Sequence, residues 1–169
     1  MRKSIRIAFV ISMVLMLSAC GYKLRGSGDS YSLAGISPLY ISGLSKTDGL
    51  YRTIRDYMRS ADVVLTENAS EAAETLAISS RKAQKNIHSV GARGKVLEYE
   101  LIEGFRYKLG PALTVDERSN KTGTVEVRRI YTNPETEVLG RKHEENTIRR
   151  DMWQQLASSL MQRLSRQVR

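Results

Sequence analysis

Apolar and polar positions alternate with a period of two along residues 96–109. Leu97, Tyr99, Leu101, Phe105, Tyr107 and Leu109 share one parity, interrupted only by Glu103. Val96, Glu98, Glu100, Ile102, Arg106 and Lys108 take the other. Such a run predicts an antiparallel strand with one face on a core and one face wet. Gly104 suggests a bulge in it, and Pro111 ends it. A second alternating run, Val125, Val127 and Tyr131 against Glu126, Arg128 and Ile130, predicts a strand that stops at Asn133-Pro134. Weaker signals mark short extended pieces at Leu39–Ser42 and Val63–Leu65, and a strand over residues 75–84. Turns are expected at residues 86–94, which hold Gly91 and Gly94, and at Asn120–Gly123.

Two stretches carry the helical period instead. Leu50, Ile54, Tyr57, Met58 and Ala61 fall on one face of a helix over residues 48–61. Ile148, Met152, Leu156, Leu160 and Leu164 recur every four residues, widened by Trp153, Ala157 and Met161. They predict a helix over residues 143–166, with Glu144 and Glu145 in its first turn and Arg163, Arg166 and Arg169 near its end, as the helix dipole favours. Two one-sided helices and a one-sided sheet bury their apolar faces most economically against each other. The expected fold is α+β, a two-layer sandwich with both helices on one face of a mostly antiparallel sheet of about four strands.

The N-terminus has a different pattern. Arg2, Lys3 and Arg6 precede an apolar run from Ile7 to Leu17, which ends in Leu17-Ser18-Ala19-Cys20. A basic start, a short apolar centre and small residues at a cut site make a secretory signal peptide. The run is shorter than the roughly 20 residues a spanning helix needs. The Leu-Ser-Ala-Cys ending is also a bacterial lipobox, so Cys20 is expected to carry an S-diacylglycerol and, on its freed amine, an N-acyl chain. Two or three chains anchor where one holds only marginally. Gly21 in place of Asp at the next position favours the periplasmic leaflet of the outer membrane. The organisation expected is a signal peptide over residues 1–19, a lipidated N-terminus and tether over 20–36, and one domain over 37–169.

Removing residues 1–19 leaves 150 residues with 24 basic and 18 acidic side chains, a net charge of +6. A basic exported domain points to an anionic partner or surface. Beyond the inner membrane that partner is not nucleic acid. With Cys20, the sole cysteine, lipidated, no disulfide is available and the core must suffice.

Catalytic chemistry is not indicated. His88 and His143 have no partner at ligand spacing, and metal binding needs clustered ligands. Glu98 and Glu100 read as a solvated strand face. Gly91-Ala92-Arg93-Gly94 is too short for a phosphate loop. No metal and no dissociable cofactor are expected. The basic residues are more suggestive. Arg81, Lys82 and Lys85 are expected to end one strand, with Arg93 and Lys95 starting the next, so that all five converge at one edge of the sheet. Arg128, Arg129, Arg141 and Lys142 are expected around the end of the last strand and the following loop. Guanidinium forks suit phosphate. On the residues alone, a binding module for some other anionic envelope ligand or partner remains open.

The set of motifs resembles one family. Cys20-Gly21-Tyr22-Lys23-Leu24-Arg25-Gly26 is similar to the opening of the lipopolysaccharide (LPS)-assembly lipoproteins, LptE or RlpB. Arg93 to Leu101 resembles the family's central strand. Arg129 to Pro134, with Leu139 to Glu145, resembles its last strand and the approach to the final helix. The Gly110–Asn120 loop does not align. The resemblance implies two helices on a four-stranded sheet and a plug within the LPS-translocon β-barrel, LptD, that helps the barrel fold and helps deliver LPS to the outer leaflet. It further implies LPS contact through Arg93 and through Arg141 or Lys142, and the basic residues themselves add Lys95 as a candidate contact.

Overall fold

A computed structural model describes residues 33–111, 120–133 and 138–168, with side chains except those of Ala34 and residues 138–141. The signal peptide, Cys20, the tether up to residue 32 and the centre of the Gly110–Asn120 loop lie outside the described residues, as does the side chain of Arg141.

The elements, in chain order, are β1 (Leu39–Ser42), α1 (Gly49–Ser60), β2 (Leu65–Thr66), β3 (Glu74–Val90), β4 (Val96–Pro111), β5 (Lys121–Thr132) and α2 (Val138–Gln167), with single 3-10 turns at Ala34–Ile36 and Ala69–Glu71. The strands form one sheet in the order β2-β1-β3-β4-β5. β3, β4 and β5 make an antiparallel meander, and β1 pairs in parallel with both β2 and β3. The expected α+β sandwich is present, with one more strand and a mixed edge. Both β1 and β2 are too short to show alternation, so the sequence did not resolve their pairing.

Helix α1 starts where Asp48 caps it, its carboxylate accepting from the Leu50 N–H at 2.9 Å. Leu50, Ile54 and Met58 are wholly buried along one stripe. In α2, Met152, Leu156, Leu160 and Leu164 are wholly buried. Leu156, Leu160 and Leu164 meet Phe105, Tyr107 and Leu109 of β4, Leu76 and Ile78 of β3, and the α1 stripe in one main core. Leu101, Tyr131 and Met152 form a smaller cluster nearer the start of α2.

Helix α2 begins five residues earlier than the periodicity suggested, so Glu144 and Glu145 are not in its first turn. Its N-terminal residues carry no apolar stripe, which is why the period did not reveal them. Strand β3 runs to Val90, well past residue 84. Ser79 opposes Arg106 and Lys82 opposes Gly104, so Ser80 and Arg81 together face Phe105. The bulge thus lies on β3, with Ser80 at φ 49°, and not at Gly104, which pairs regularly with Lys82 and Glu126. Beyond it β3 is mostly exposed, so its apolar alternation fades. The turn after β3 is accordingly residues 91–95, closed by Gly91 N–H to Lys95 O at 2.8 Å, with Gly94 at φ 73°. Lys121, Thr122 and Gly123 are part of β5 and not a turn.

Candidate functional site

The helix-covered face of the sheet and its open face treat charge differently. On the open face, Lys82 of β3 reaches Glu126 of β5 at 2.8 Å, and Arg128 reaches the same carboxylate at 2.9 Å and Glu100 at 3.6 Å. Hydrogen bonds from Lys82 and then Arg128 hold the Glu126 carboxyl below its ordinary range. Glu98 accepts from Ser89 Oγ at 2.7 Å. This face is polar, and Lys82 and Arg128 on it are paired with carboxylates.

On the covered face, the bulge turns Arg81 toward α1, where it ion-pairs with the capping carboxylate of Asp48. Its second nitrogen lies 3.8 Å from Glu103, which is 1% exposed. Arg149 of α2 also bonds Glu103, and Trp153 Nε1 donates to it at 3.3 Å. Glu103 therefore keeps the parity of its strand. The interruption in the apolar pattern is a buried acid with two hydrogen-bond donors and a further guanidinium 3.8 Å away.

Lys85 pairs with Glu145 of α2 at 2.8 Å and lies 4.1 Å from the Tyr99 ring centroid. Tyr131 donates its hydroxyl to the same Glu145 at 3.1 Å. Burial works to raise the Glu145 carboxyl, but the hydrogen bonds from Lys85 and Arg149 outweigh it and the net shift is downward. Burial likewise opposes the charge on Lys85, yet Glu145 and Tyr131 bring its net shift upward. These residues bolt α2 to the sheet.

The expected convergence of five basic side chains does not occur. Arg81, Lys82 and Lys85 are mid-strand and committed to Asp48, Glu126 and Glu145. Lys85 sits five residues, about 17 Å of strand, before Val90. Arg128 is mid-strand as well, opposite Ile102, and Arg129 is opposite Leu101. Arg93 and Lys95 alone occupy the β3–β4 turn, both exposed, lining a cleft of about 240 Å³ with Gly91, Ala92 and Leu97.

Topology adds Lys142 to this end. Asn133, just after β5, donates its backbone N–H to Leu97 O at 2.7 Å and its side-chain amide to Val96 O at 2.9 Å. Helix α2 runs along the sheet from Glu145, which meets Lys85 and Tyr131, to Arg149, which meets Glu103, so its N-terminal end points toward the β3–β4 turn. Lys142 is exposed in the early turns of that helix, one position past Arg141. Arg93, Lys95 and Lys142 thus share one end of the molecule. A wider groove of about 810 Å³ lies between β5 and α2, but Arg129 and Asp151 are the only charged residues lining it. It is not built for a polyanion.

His88 lies on β3 and His143 in α2, both exposed. Among the described residues no group of three or more His, Cys, Asp or Glu could hold a metal. No described helix is long and apolar enough to cross a membrane.

The chain folds as an α+β domain with a polar open sheet face and an exposed basic turn between β3 and β4. Rare lipoprotein B from Shewanella oneidensis matches 74% of this chain and 91% of its own at a TM-score of 0.62 and 22% identity. Lipoprotein B from Nitrosomonas europaea matches 86% and 90% at 0.66 and 21%, and a minor lipoprotein from Acinetobacter baumannii matches 76% and 90% at 0.58 and 18%. At these identities the likeness is one of fold. The family is given by the sequence model of LptE, lipopolysaccharide-assembly, which matches residues 36–164. The chain belongs to the LptE family of LPS-assembly lipoproteins, a non-catalytic family.

Proposed function

We propose that the mature protein is an outer-membrane lipoprotein, anchored in the periplasmic leaflet through lipid on Cys20. It plugs and helps assemble an LptD-like LPS-translocon β-barrel, and it binds LPS during delivery to the outer leaflet. Arg93, Lys95, Arg141 and Lys142 are the proposed LPS contacts.

The observation that carries the reading is the exposed basic turn of Arg93 and Lys95, with Lys142 exposed near the start of α2. Phosphates of LPS supply the complementary charge, and guanidinium and ammonium groups bind them by charge-assisted hydrogen bonds. The polar open face, where Lys82 and Arg128 are paired with carboxylates, suits contact with a polar wall such as a barrel lumen.

Two experiments test the two parts. Tagged protein is captured from detergent-solubilised outer membrane and the eluate is identified by mass spectrometry. A large β-barrel at near one-to-one stoichiometry is expected, and its absence would remove the plug reading. Separately, Arg93→Glu with Arg141→Glu is expected to abolish LPS binding while leaving the circular dichroism spectrum unchanged. Unchanged binding would remove these residues from the site.

A further inference from the structure

We infer that the LPS-binding end contains an apolar subsite as well as a basic one, formed by Ile87 and Leu97 on the helix-side face of the β3–β4 arm. The inference rests on the proposed LPS contacts and adds what kind of ligand they prefer: an acylated, phosphorylated amphiphile over a bare polyanion.

The positions come from the register. Ile87 stands directly opposite Tyr99, and Tyr99 opposite Tyr131, so the three share a face. The Tyr99 and Tyr131 rings are 5.8 Å apart. Leu97 lies two residues from Tyr99, unpaired between the Ser89–Glu98 and Val90–Val96 pairs where the register shifts, and its side chain lies over Gly91, where an added Cβ would be 3.4 Å from a Leu97 methyl carbon. Deeper along this face the same strands are covered by α2, with Leu101 wholly buried. At the arm, cover is incomplete: Ile87 is 61% exposed and Leu97 45%. Two large aliphatic side chains exposed beside a basic turn offer apolar contact to a ligand held there.

The surroundings select that ligand. Toward the tip, Leu97 shares its cleft with Arg93 and Lys95. Toward the body, Lys85 closes the strip over Tyr99. An acyl chain laid along Ile87 and Leu97 therefore begins where a phosphate meets the basic turn, which is the connectivity of a phosphorylated glycolipid. The structure thus assigns acyl contact to Ile87 and Leu97 and phosphate contact to the turn.

The test compares two probes by fluorescence anisotropy: LPS below its aggregation concentration, and the same LPS chemically deacylated. The unaltered protein is expected to bind intact LPS about tenfold more tightly or more, since burying two methylenes alone corresponds to that factor. Ile87→Ser with Leu97→Ser is expected to bind both probes equally, at the affinity of the deacylated one, with an unchanged melting temperature. Arg93→Glu with Lys95→Glu is expected to lose both. Equal binding of the two probes by the unaltered protein, or a serine variant that still prefers intact LPS, overturns the apolar subsite and leaves the basic site standing. Undiminished binding by the glutamate variant overturns the basic site itself, and with it this inference.

Discussion

Glu103 of β4 and Arg149 of α2, 46 positions apart in the chain, form an ion pair in the layer between sheet and helix. Glu103 is 1% exposed, and it shares its carboxylate with Trp153 Nε1 and the edge of Arg81. A buried pair of this kind contributes little over an apolar substitute, but Glu103→Ala leaves the Trp153 N–H and one Arg149 nitrogen without their acceptor, even though Arg149 keeps Glu145 and Arg81 keeps Asp48. It is therefore expected to cost about 2–3 kcal/mol in urea unfolding, while Glu103→Leu with Arg149→Met is expected to lie much closer to the unaltered protein. A Glu103→Ala variant as stable as the parent would show that Arg149 and Arg81 find water instead.

That cluster also marks where the chain was readable. The strand, the two helices and the sandwich follow from periodicity, because Leu101, Phe105, Tyr107 and Leu109 and the α2 leucines declare their faces locally. Glu103 looked like a break because its partners come from α2 and from a bulge in β3. The same holds for the cations. Lys82 and Glu126 are 44 positions apart, and Lys85 and Glu145 are 60. Nothing local distinguishes these paired lysines from Arg93, whose place at an exposed turn was legible from the flanking glycines Gly91 and Gly94. The β3 bulge, which sends Arg81 inward, has no sequence signature of its own.

The bolt between Lys85 and Glu145 sets a pH dependence. Glu145 has its carboxyl shifted down in the folded protein, so its stabilising share is present above the ordinary carboxylate pKa and is lost as pH falls through the folded value. Lys85 is shifted up, so its share is present below the ordinary lysine pKa and is lost only as pH rises through the folded value. Melting temperature should therefore be flat across neutral pH on this account and fall on the acid side, below about pH 4. Glu145→Gln is expected to lower the plateau and shrink the acid-side fall. An unchanged acid limb in that variant would assign the fall to other carboxylates.

Gly43 follows β1 with φ at 86°, and a Cβ built there would overlap the carbonyl oxygen of Ile78 at 1.8 Å. That oxygen belongs to the backbone of β3 in the centre of the sheet and cannot rotate away. Gly43→Ala combines left-handed strain with displacement of a central strand, and is expected to destabilise by about 2 kcal/mol or more. Differential scanning calorimetry reads this directly, and a melting temperature within a degree of the parent would contradict it.

Position, and not the number of cations, should govern LPS binding. Arg93→Gln with Lys142→Gln and Lys82→Gln with Arg128→Gln each remove two positive charges. The first pair acts at the shared end of the sheet, where Arg93 makes no ion pair with any described residue. The second acts on the open face, where Glu126 and Glu100 already pair with the two side chains. A charge-assisted hydrogen bond is worth about 1.5–3 kcal/mol when it is lost, or roughly tenfold or more in affinity per contact. The first variant is expected to weaken LPS binding by about a hundredfold on that basis, and the second by less than about twofold, the residue of long-range attraction screened beyond about 10 Å at 0.1 M salt. Isothermal titration of both variants at fixed ionic strength separates the cases. Equal losses would mean that LPS responds to the overall field of a basic domain, and that the turn of β3–β4 and the start of α2 hold no specific site.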